Sequence, residues 1–244
     1  MKISGNTALI TGGGSGIGLA LAEALLERGN EVIICGRRKG LLKAAQTRMR
    51  DIHFRVCDVS KAHSRQILVD WVLSEFKQLN LLVNNAGIQR QVDFLKGTRD
   101  LSKADDEIAT NLMAPIHLSA QLLPHLRRKK AAAIINISSG LAFTPIAAVP
   151  VYCATKAALH SWSLSLRHQL RNTSVRIFEV APPMAATRLS GKRDRGNDSD
   201  SVMSPEAVAS GVLRAIERNQ YEAALGAAAD LRAQRERLFS AMNQ

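Results

Sequence analysis

Short apolar runs recur along the chain with helical stretches between them, and this alternation narrows the choice of fold more than any other feature. The runs cover residues 7–11, 31–35, 53–57, 81–84, 133–137 and 175–180. Most lack polar alternation, which suits strands covered on both faces of a parallel sheet. Helical periodicity fills 17–28, 40–49, 63–76, 107–126 and 155–170. Repeated strand–helix units with right-handed crossovers predict an α/β, doubly wound, three-layer sandwich around a mostly parallel sheet. A further short run at 222–225 is expected to close the sheet edge as a seventh strand.

No linker or repeat interrupts the first 185 residues, so the whole chain, 1–244, reads as one domain. The composition breaks at Ser190–Ser201, which is polar and aperiodic, and 188–204 is expected to be a mobile substrate-loop segment. Ser204-Pro-Glu then restarts a helix, with Ser as N-cap and Pro in the first turn. The tail after Asp230 reads as a last amphipathic helix.

With 46% hydrophobic and 22% charged residues the composition is that of a soluble globular protein. Cys35, Cys57 and Cys153 lie in apolar segments without metal-ligand spacing, and read as reduced core thiols of a cytoplasmic protein. Neither a signal peptide nor a stretch of membrane-spanning length is visible, so no membrane partner is expected. The net charge of +12 is dispersed in short clusters, and 4% aromatic residues are too few for a base-stacking platform. Nucleic acid is therefore not an expected partner either.

Between the first strand and the first helix lie five glycines in seven residues, Gly12 to Gly18. Glycines let backbone N–H groups approach an anion at a helix N-terminus. The loop lacks the Lys-Ser/Thr pair of an ATP-type P-loop, and it is not the literal G-x-G-x-x-G of dinucleotide folds. A turn that only packs strand on helix would look similar. The end of the second strand sharpens the choice. Dinucleotide folds place a carboxylate there for the ribose hydroxyls, or an Arg for a 2′-phosphate. Here the chain reads Cys35-Gly36-Arg37-Arg38-Lys39, with no carboxylate. Arg37 offers a planar fork suited to phosphate, so NADP(H) is the expected cofactor, with NAD(H) as the alternative.

Tyr152 and Lys156 are four residues apart at the start of a helical stretch and so share a face. An ammonium beside a phenol favours the phenolate and lowers its pKa, which makes the pair a general acid/base. Ser138 and Ser139 end the fifth apolar run, where strand C-termini face the ligand crevice, and a hydroxyl there can donate to a carbonyl oxygen. Asn84-Asn85-Ala86-Gly87 ends the fourth run at the same edge. Asn111 lies within a helical stretch, where Asn is usually solvent-facing or back-bonded.

Taken together, these pieces resemble the single-domain short-chain dehydrogenases/reductases over nearly the whole chain. The matching segments are TGGGSGIG at 11–18, CDV at 57–59, NNAG at 84–87, Asn111, ISS at 137–139 and YCATK at 152–156. The resemblance implies a Rossmann-type fold and hydride transfer between a nicotinamide and a carbonyl/alcohol substrate. It implies Tyr152 as acid/base, Lys156 lowering its pKa and binding the nicotinamide ribose, Ser139 polarising the carbonyl, and Asn111 holding a proton-relay water. Gly12, Ser15, Gly16, Ile17 and Gly18 would hold the pyrophosphate. Arg37 and Arg38 would face the 2′-phosphate, and Asp58 and Val59 the adenine. Asn85, Ala86, Gly87, Pro182 and Thr187 would line the rest of the cofactor groove. The family usually has Pro-Gly after the sixth strand. This chain has Pro182-Pro183, and Pro both fixes φ and lacks an N–H. A narrower resemblance is to the oxidoreductases named after the lipoteichoic-acid D-alanylation locus. That name refers to gene neighbourhood, and neither D-alanine nor teichoic acid is inferred as substrate.

Ser139, Leu141, Phe143, Val149, Met184 and Leu189 are the expected substrate-pocket residues, mostly apolar and close in sequence to the chemistry. No metal site is expected. The resemblance also implies a homodimer or homotetramer built on the long helices 107–126 and 155–170. An NADP-binding regulatory or redox-sensing protein with little turnover is the alternative function.

Overall fold

The computed structural model describes residues 1–101, 104–187, 189 and 202–244. Most of the expected substrate loop, 188 and 190–201, lies outside the described residues. Seven strands form one sheet: β1 (Thr7–Thr11), β2 (Glu31–Gly36), β3 (Ile52–Val56), β4 (Leu79–Asn84), β5 (Ala132–Ile137), β6 (Val175–Ala181) and β7 (Glu222–Ala224). Their order is β3-β2-β1-β4-β5-β6-β7, and every pairing is parallel. The central runs are buried as expected, with all residues of β1 and β5 buried, whereas the edge strand β3 is buried only at Ile52.

The helices are α1 (Gly16–Leu26), α2 (Lys39–Arg48), α3 (Ala62–Glu75), α4 (Thr98–Leu101), α5 (Ala104–Ile108), α6 (Ala114–Leu126), α7 (Pro150–Gln169), α8 (Pro205–Glu217), α9 (Ala228–Gln234) and α10 (Phe239–Met242). On one face of the sheet, Leu21 and Leu25 of α1, Leu42 of α2 and Val212 and Leu213 of α8 pack on Ile10, Ile34 and Phe178. On the other, Leu68 and Val72 of α3, Leu118 and Leu122 of α6 and Leu166 of α7 pack on Leu9, Leu82 and Ile134. Two cores separated by the sheet make the three-layer sandwich. Strand order reverses between β1 and β4, and in such folds the ligand crevice opens beyond the strand C-termini at that switch point.

The stretch 107–126 is not one helix. A π-turn, Ala109–Met113, separates α5 from α6. Pro115 explains it. A proline has no N–H to give the carbonyl four residues back, here Asn111, and its ring would collide with that carbonyl. The wider turn relieves the collision and carries Asn111 inward, where it is buried. Ser204 caps α8 as expected, its side chain accepting the Ala207 N–H at 3.1 Å.

The tail holds a finding that periodicity did not foretell. It folds back as α9, a 3₁₀ turn at Arg235–Leu238, and α10, against the segment that follows β5. Thr144 Oγ1 lies 3.1 Å from the Leu231 carbonyl and 2.9 Å from that of Arg235. Asn243 bonds the Ala147 N–H and the Pro145 carbonyl. Gly140 lets the tail pack closely: a Cβ there would stand 2.8 Å from Leu231 Cδ1, 3.0 Å from Ala228 Cβ and 3.2 Å from Ala228 Cα.

Candidate active site

A cleft of about 720 Å³ runs along the C-terminal ends of the central strands, within the size range of cofactor sites. The glycine loop forms one wall. Gly12 and Gly16 adopt left-handed backbone, φ 68° and 55°, which L side chains rarely tolerate. Gly18 serves close approach instead. A Cβ there would lie 2.4 Å from Asn85 Nδ2 and 2.6 Å from the Gly12 carbonyl oxygen. Asn85 ties the loop to β4: its Nδ2 donates to the Thr11 carbonyl at 2.9 Å. Thr11 Oγ1 accepts the N–H groups of Asn85 and Ala86, each at 3.0 Å. Ser15 precedes α1 but its side chain does not cap the helix. It accepts Arg38 Nη2 at 2.9 Å. The first N–H groups of α1 therefore keep their capacity for an anion.

Arg37 and Arg38 follow β2, both exposed and both lining the cleft with Leu41, Leu42, Cys57, Asp58 and Val59. The Asp58 carboxylate is held by its own turn, accepting from Ser60 N at 3.0 Å and Ser60 Oγ at 2.7 Å. The Asp58 N–H is taken by Ser64 Oγ at 3.0 Å. Cys57 was not foreseen in the cleft. Its thiol is lowered below the usual range, chiefly by the hydrogen bond with Cys35.

At the other end Ser139, Tyr152 and Lys156 converge, all buried. Ser139 Oγ accepts the Leu141 N–H at 3.1 Å, which orients the hydroxyl. The Lys156 ammonium donates to the Ile137 carbonyl at 2.8 Å and stands 5.7 Å from the centre of the Tyr152 ring. Burial pushes the Tyr152 phenol up to about 12, against the opposing hydrogen bond with Ser139. Desolvation is the largest influence on the phenol, and the Glu107 carboxylate adds to the upward shift. Burial also lowers Lys156 to about 8, while the Glu179 carboxylate pulls the other way.

Asn111 does not face solvent. Its Nδ2 donates to the Ile88 carbonyl at 2.8 Å and its Oδ1 accepts the Ile88 N–H at 2.9 Å. It thus clamps the chain just past Gly87, behind the cleft wall rather than in it. Glu107 was missed altogether. It is fully buried, and its Oε1 accepts the Arg90 N–H at 2.7 Å. Desolvation raises its own pKa, and its charge adds to the push on Tyr152.

Of the expected pocket residues, Ser139, Leu141, Met184 and Leu189 line the cleft. Phe143 and Val149 do not. Phe143 stands edge-on to His160 at 4.9 Å, and Val149 packs with Tyr152 and Cys153 in a small core. Gly18 likewise lies beneath the loop rather than on the cleft surface. Pro182 and Thr187 line the cleft, and the Pro182 carbonyl accepts the Gly140 N–H at 3.0 Å. Ile146, Leu231 and Met242 complete the apolar wall. The last two come from the tail, which only the folded chain brings there.

Comparison with known proteins agrees with this geometry. The short chain dehydrogenase family matches residues 6–198. The uncharacterized oxidoreductase DltE of Bacillus subtilis (strain 168) is 50% identical over 248 residues, covering 100% of this chain and 98% of that protein. A tropinone reductase homolog of Arabidopsis thaliana is 33% identical over 195 residues, 77% of this chain and 71% of its own. Among solved structures, a short chain dehydrogenase from Burkholderia cenocepacia J2315 superposes with TM-score 0.82 at 28% identity, covering 96% of this chain and 93% of that one. A short chain dehydrogenase/reductase from Burkholderia phymatum gives TM-score 0.84 at 23% identity, covering 95% and 93%. On this match, the sheet order and the Ser–Tyr–Lys cluster at the strand ends, the chain belongs to the short chain dehydrogenase family of oxidoreductases.

Proposed function

We propose that the protein is an NADP(H)-dependent oxidoreductase that interconverts a carbonyl and an alcohol, with Tyr152 as the proton-transferring group. One observation carries the reading: Ser139, Tyr152 and Lys156 meet at one end of a continuous cleft whose other end is a glycine-lined helix N-terminus flanked by Arg37 and Arg38. The residues fit a nicotinamide dinucleotide. Side chains at Gly12 or Gly16 would crowd the cradle, and the start of α1 is open to a pyrophosphate. The solved relatives from B. cenocepacia and B. phymatum were crystallised with NADP and NAD respectively. The absence of a carboxylate after β2, and the exposed guanidinium of Arg37, favour NADP.

When bound, the cofactor would supply or accept the hydride. The protein's own task is position and protons. In the reducing direction the Tyr152 phenol, protonated across the neutral range, gives its proton to the substrate oxygen. Ser139, with its oxygen already accepting the Leu141 N–H, has its hydroxyl proton to direct at that oxygen. The Lys156 ammonium then stabilises the phenolate left behind. Asn111, whose side chain bonds Ile88 and Thr155, is the residue that would hold a relay water. Leu141, Ile146, Met184, Leu189, Leu231 and Met242 favour a partly hydrophobic substrate. We further read the chain as one cytoplasmic nucleotide-binding domain that assembles as a homodimer or homotetramer. No described helix is long and apolar enough to cross a membrane.

The test is loss of nicotinamide absorbance when the purified protein and NADPH meet a panel of aldehydes and ketones. Catalysed oxidation of NADPH by an apolar carbonyl supports the reading, and none with any member opposes it. Arg37→Ala is expected to lower the preference for NADPH over NADH by about 10–100-fold in kcat/KM. A hydrogen bond to a charged group contributes about 1.5–3 kcal/mol. Unchanged preference would remove Arg37 as the selector.

A further inference from the structure

A row of polar residues crosses the sheet beneath α7. Asn84, Asn136, Glu179 and Glu222 are successive register partners on β4, β5, β6 and β7. The first two are linked through their amide N–H groups: Asn84 Nδ2 donates to Asn136 Oδ1 at 2.9 Å, and Asn136 Nδ2 to Ser163 Oγ at 2.8 Å, while Asn84 Oδ1 has no hydrogen-bond partner among the described residues. The last two are carboxylates side by side, an arrangement that repels. Glu179 is fully buried. His160 Nδ1 lies 2.8 Å from its Oε2, and its Oε1 has no hydrogen-bond partner among the described residues. A buried carboxylate oxygen without a partner is costly and calls for a cation or donor. Glu222 is bonded by Arg232 Nε through Oε1, and that arginine is half exposed on the rim. One ligand atom each from His160, Glu179 and Glu222 lies within 4.8 Å of the others.

We infer that His160, Glu179 and Glu222 form a site for a first-row divalent cation of the zinc class, stapling α7 to the β6–β7 edge. One imidazole and two carboxylates are borderline and hard donors that such ions accept. Bonds of about 2.0–2.2 Å place tetrahedral ligands about 3.4 Å apart. The cation therefore draws Glu222 inward and parts His160 from Glu179 slightly, while Arg232 swings into solvent. Phe143, edge-on to His160 at 4.9 Å, braces the ring. Solvent reaches the site past His160 and Glu222, whose side chains are 16% and 18% exposed, and supplies a water for the fourth position. The site lies one helical turn past Lys156 and is separate from the cleft: none of its three residues lines it.

The experiment uses the full chain, freed of metal with a chelator and titrated with Co²⁺, then Zn²⁺. One Co²⁺ per chain is expected, with visible bands of a nitrogen/oxygen ligand set, displaced by Zn²⁺ and accompanied by a raised Tm. His160→Gln and Glu222→Gln should each weaken binding at least about tenfold, a loss that even outer-sphere substitutions produce. Both positions are partly exposed, and unchanged far-ultraviolet circular dichroism would show that the variants fold. Cys57→Ser should leave the titration unchanged. A thiolate-to-cobalt charge-transfer band that Cys57→Ser abolishes would place the metal on the Cys35–Cys57 pair and overturn the site. Binding that ignores all three variants, or no binding at millimolar metal, would overturn it equally.

Discussion

Tyr152→Phe is expected to lower turnover of NADPH with a carbonyl substrate by about 10³-fold, within the range that general acid catalysis supplies. The substitution is narrow. The ring stays in its small core with Val149 and Cys153, and only the hydroxyl goes. The proton transfer that is lost occurs only in the transition state, so the loss falls mainly on kcat, and the one hydrogen bond lost to bound substrate adds a smaller rise in KM. NADPH affinity should change by no more than about threefold. Parallel single-turnover and binding measurements read the two effects separately. Full activity in the Phe variant would remove Tyr152 from the chemistry. Lost dinucleotide binding would instead make it a cofactor contact.

Lys156→Met is expected to cost about 10²–10⁴-fold in kcat, and to do so without lowering Tm at neutral pH. The second half follows from the sign of the pKa shift. Burial holds the folded-state amine at about 8, below its ordinary 10.5. A lysine shifted in this direction destabilises the fold wherever it is charged. The penalty is fully present below pH 8 and fades as pH rises from about 8 towards 10.5. The methionine variant should therefore match or exceed the parent's stability at pH 7, offset by an unpaired Ile137 carbonyl, and lose any advantage above pH 10. The same titration shapes activity. Carbonyl reduction should fall as pH rises through about 8, when the ammonium beside Tyr152 is lost, whereas Tyr152 itself stays protonated to about 12. Thermal scans and kcat profiles from pH 6 to about 10.5 test both. Lys156→Arg, charged throughout, should move the falling limb upward.

The strand ladder was legible because double burial forces unbroken apolar runs, and only one sheet class needs them. The glycine loop was legible because positive φ and close approach exclude other residues. The Ser139–Tyr152–Lys156 cluster was legible as two clues of fixed spacing, the Tyr–Lys pair on one helix turn and the serines at a strand end. What the residues hid was set by tertiary contact. Phe143 and Val149 share the composition of pocket residues, yet the turn after β5 aims them at His160 and at the core. Leu231 and Met242 reach the cleft only because the tail folds back over Gly140. Helix position alone left Asn111 solvent-facing or back-bonded, and the π-turn that Pro115 opens four positions on buries it. Glu107 and Glu179 are fully buried, and nothing local in the sequence marks a carboxylate for full burial. The upward push of burial on the Tyr152 phenol was hidden for the same reason, since a neighbouring ammonium is visible in sequence and depth of burial is not.

Titration of the purified protein with NADPH and with NADH, followed by nicotinamide fluorescence, tests the central claim most directly. One saturable site per chain, tighter for NADPH, is the expected result, because on the proposed reading the open start of α1 would take the pyrophosphate and Arg37 the 2′-phosphate. A folded protein that binds neither dinucleotide would contradict it.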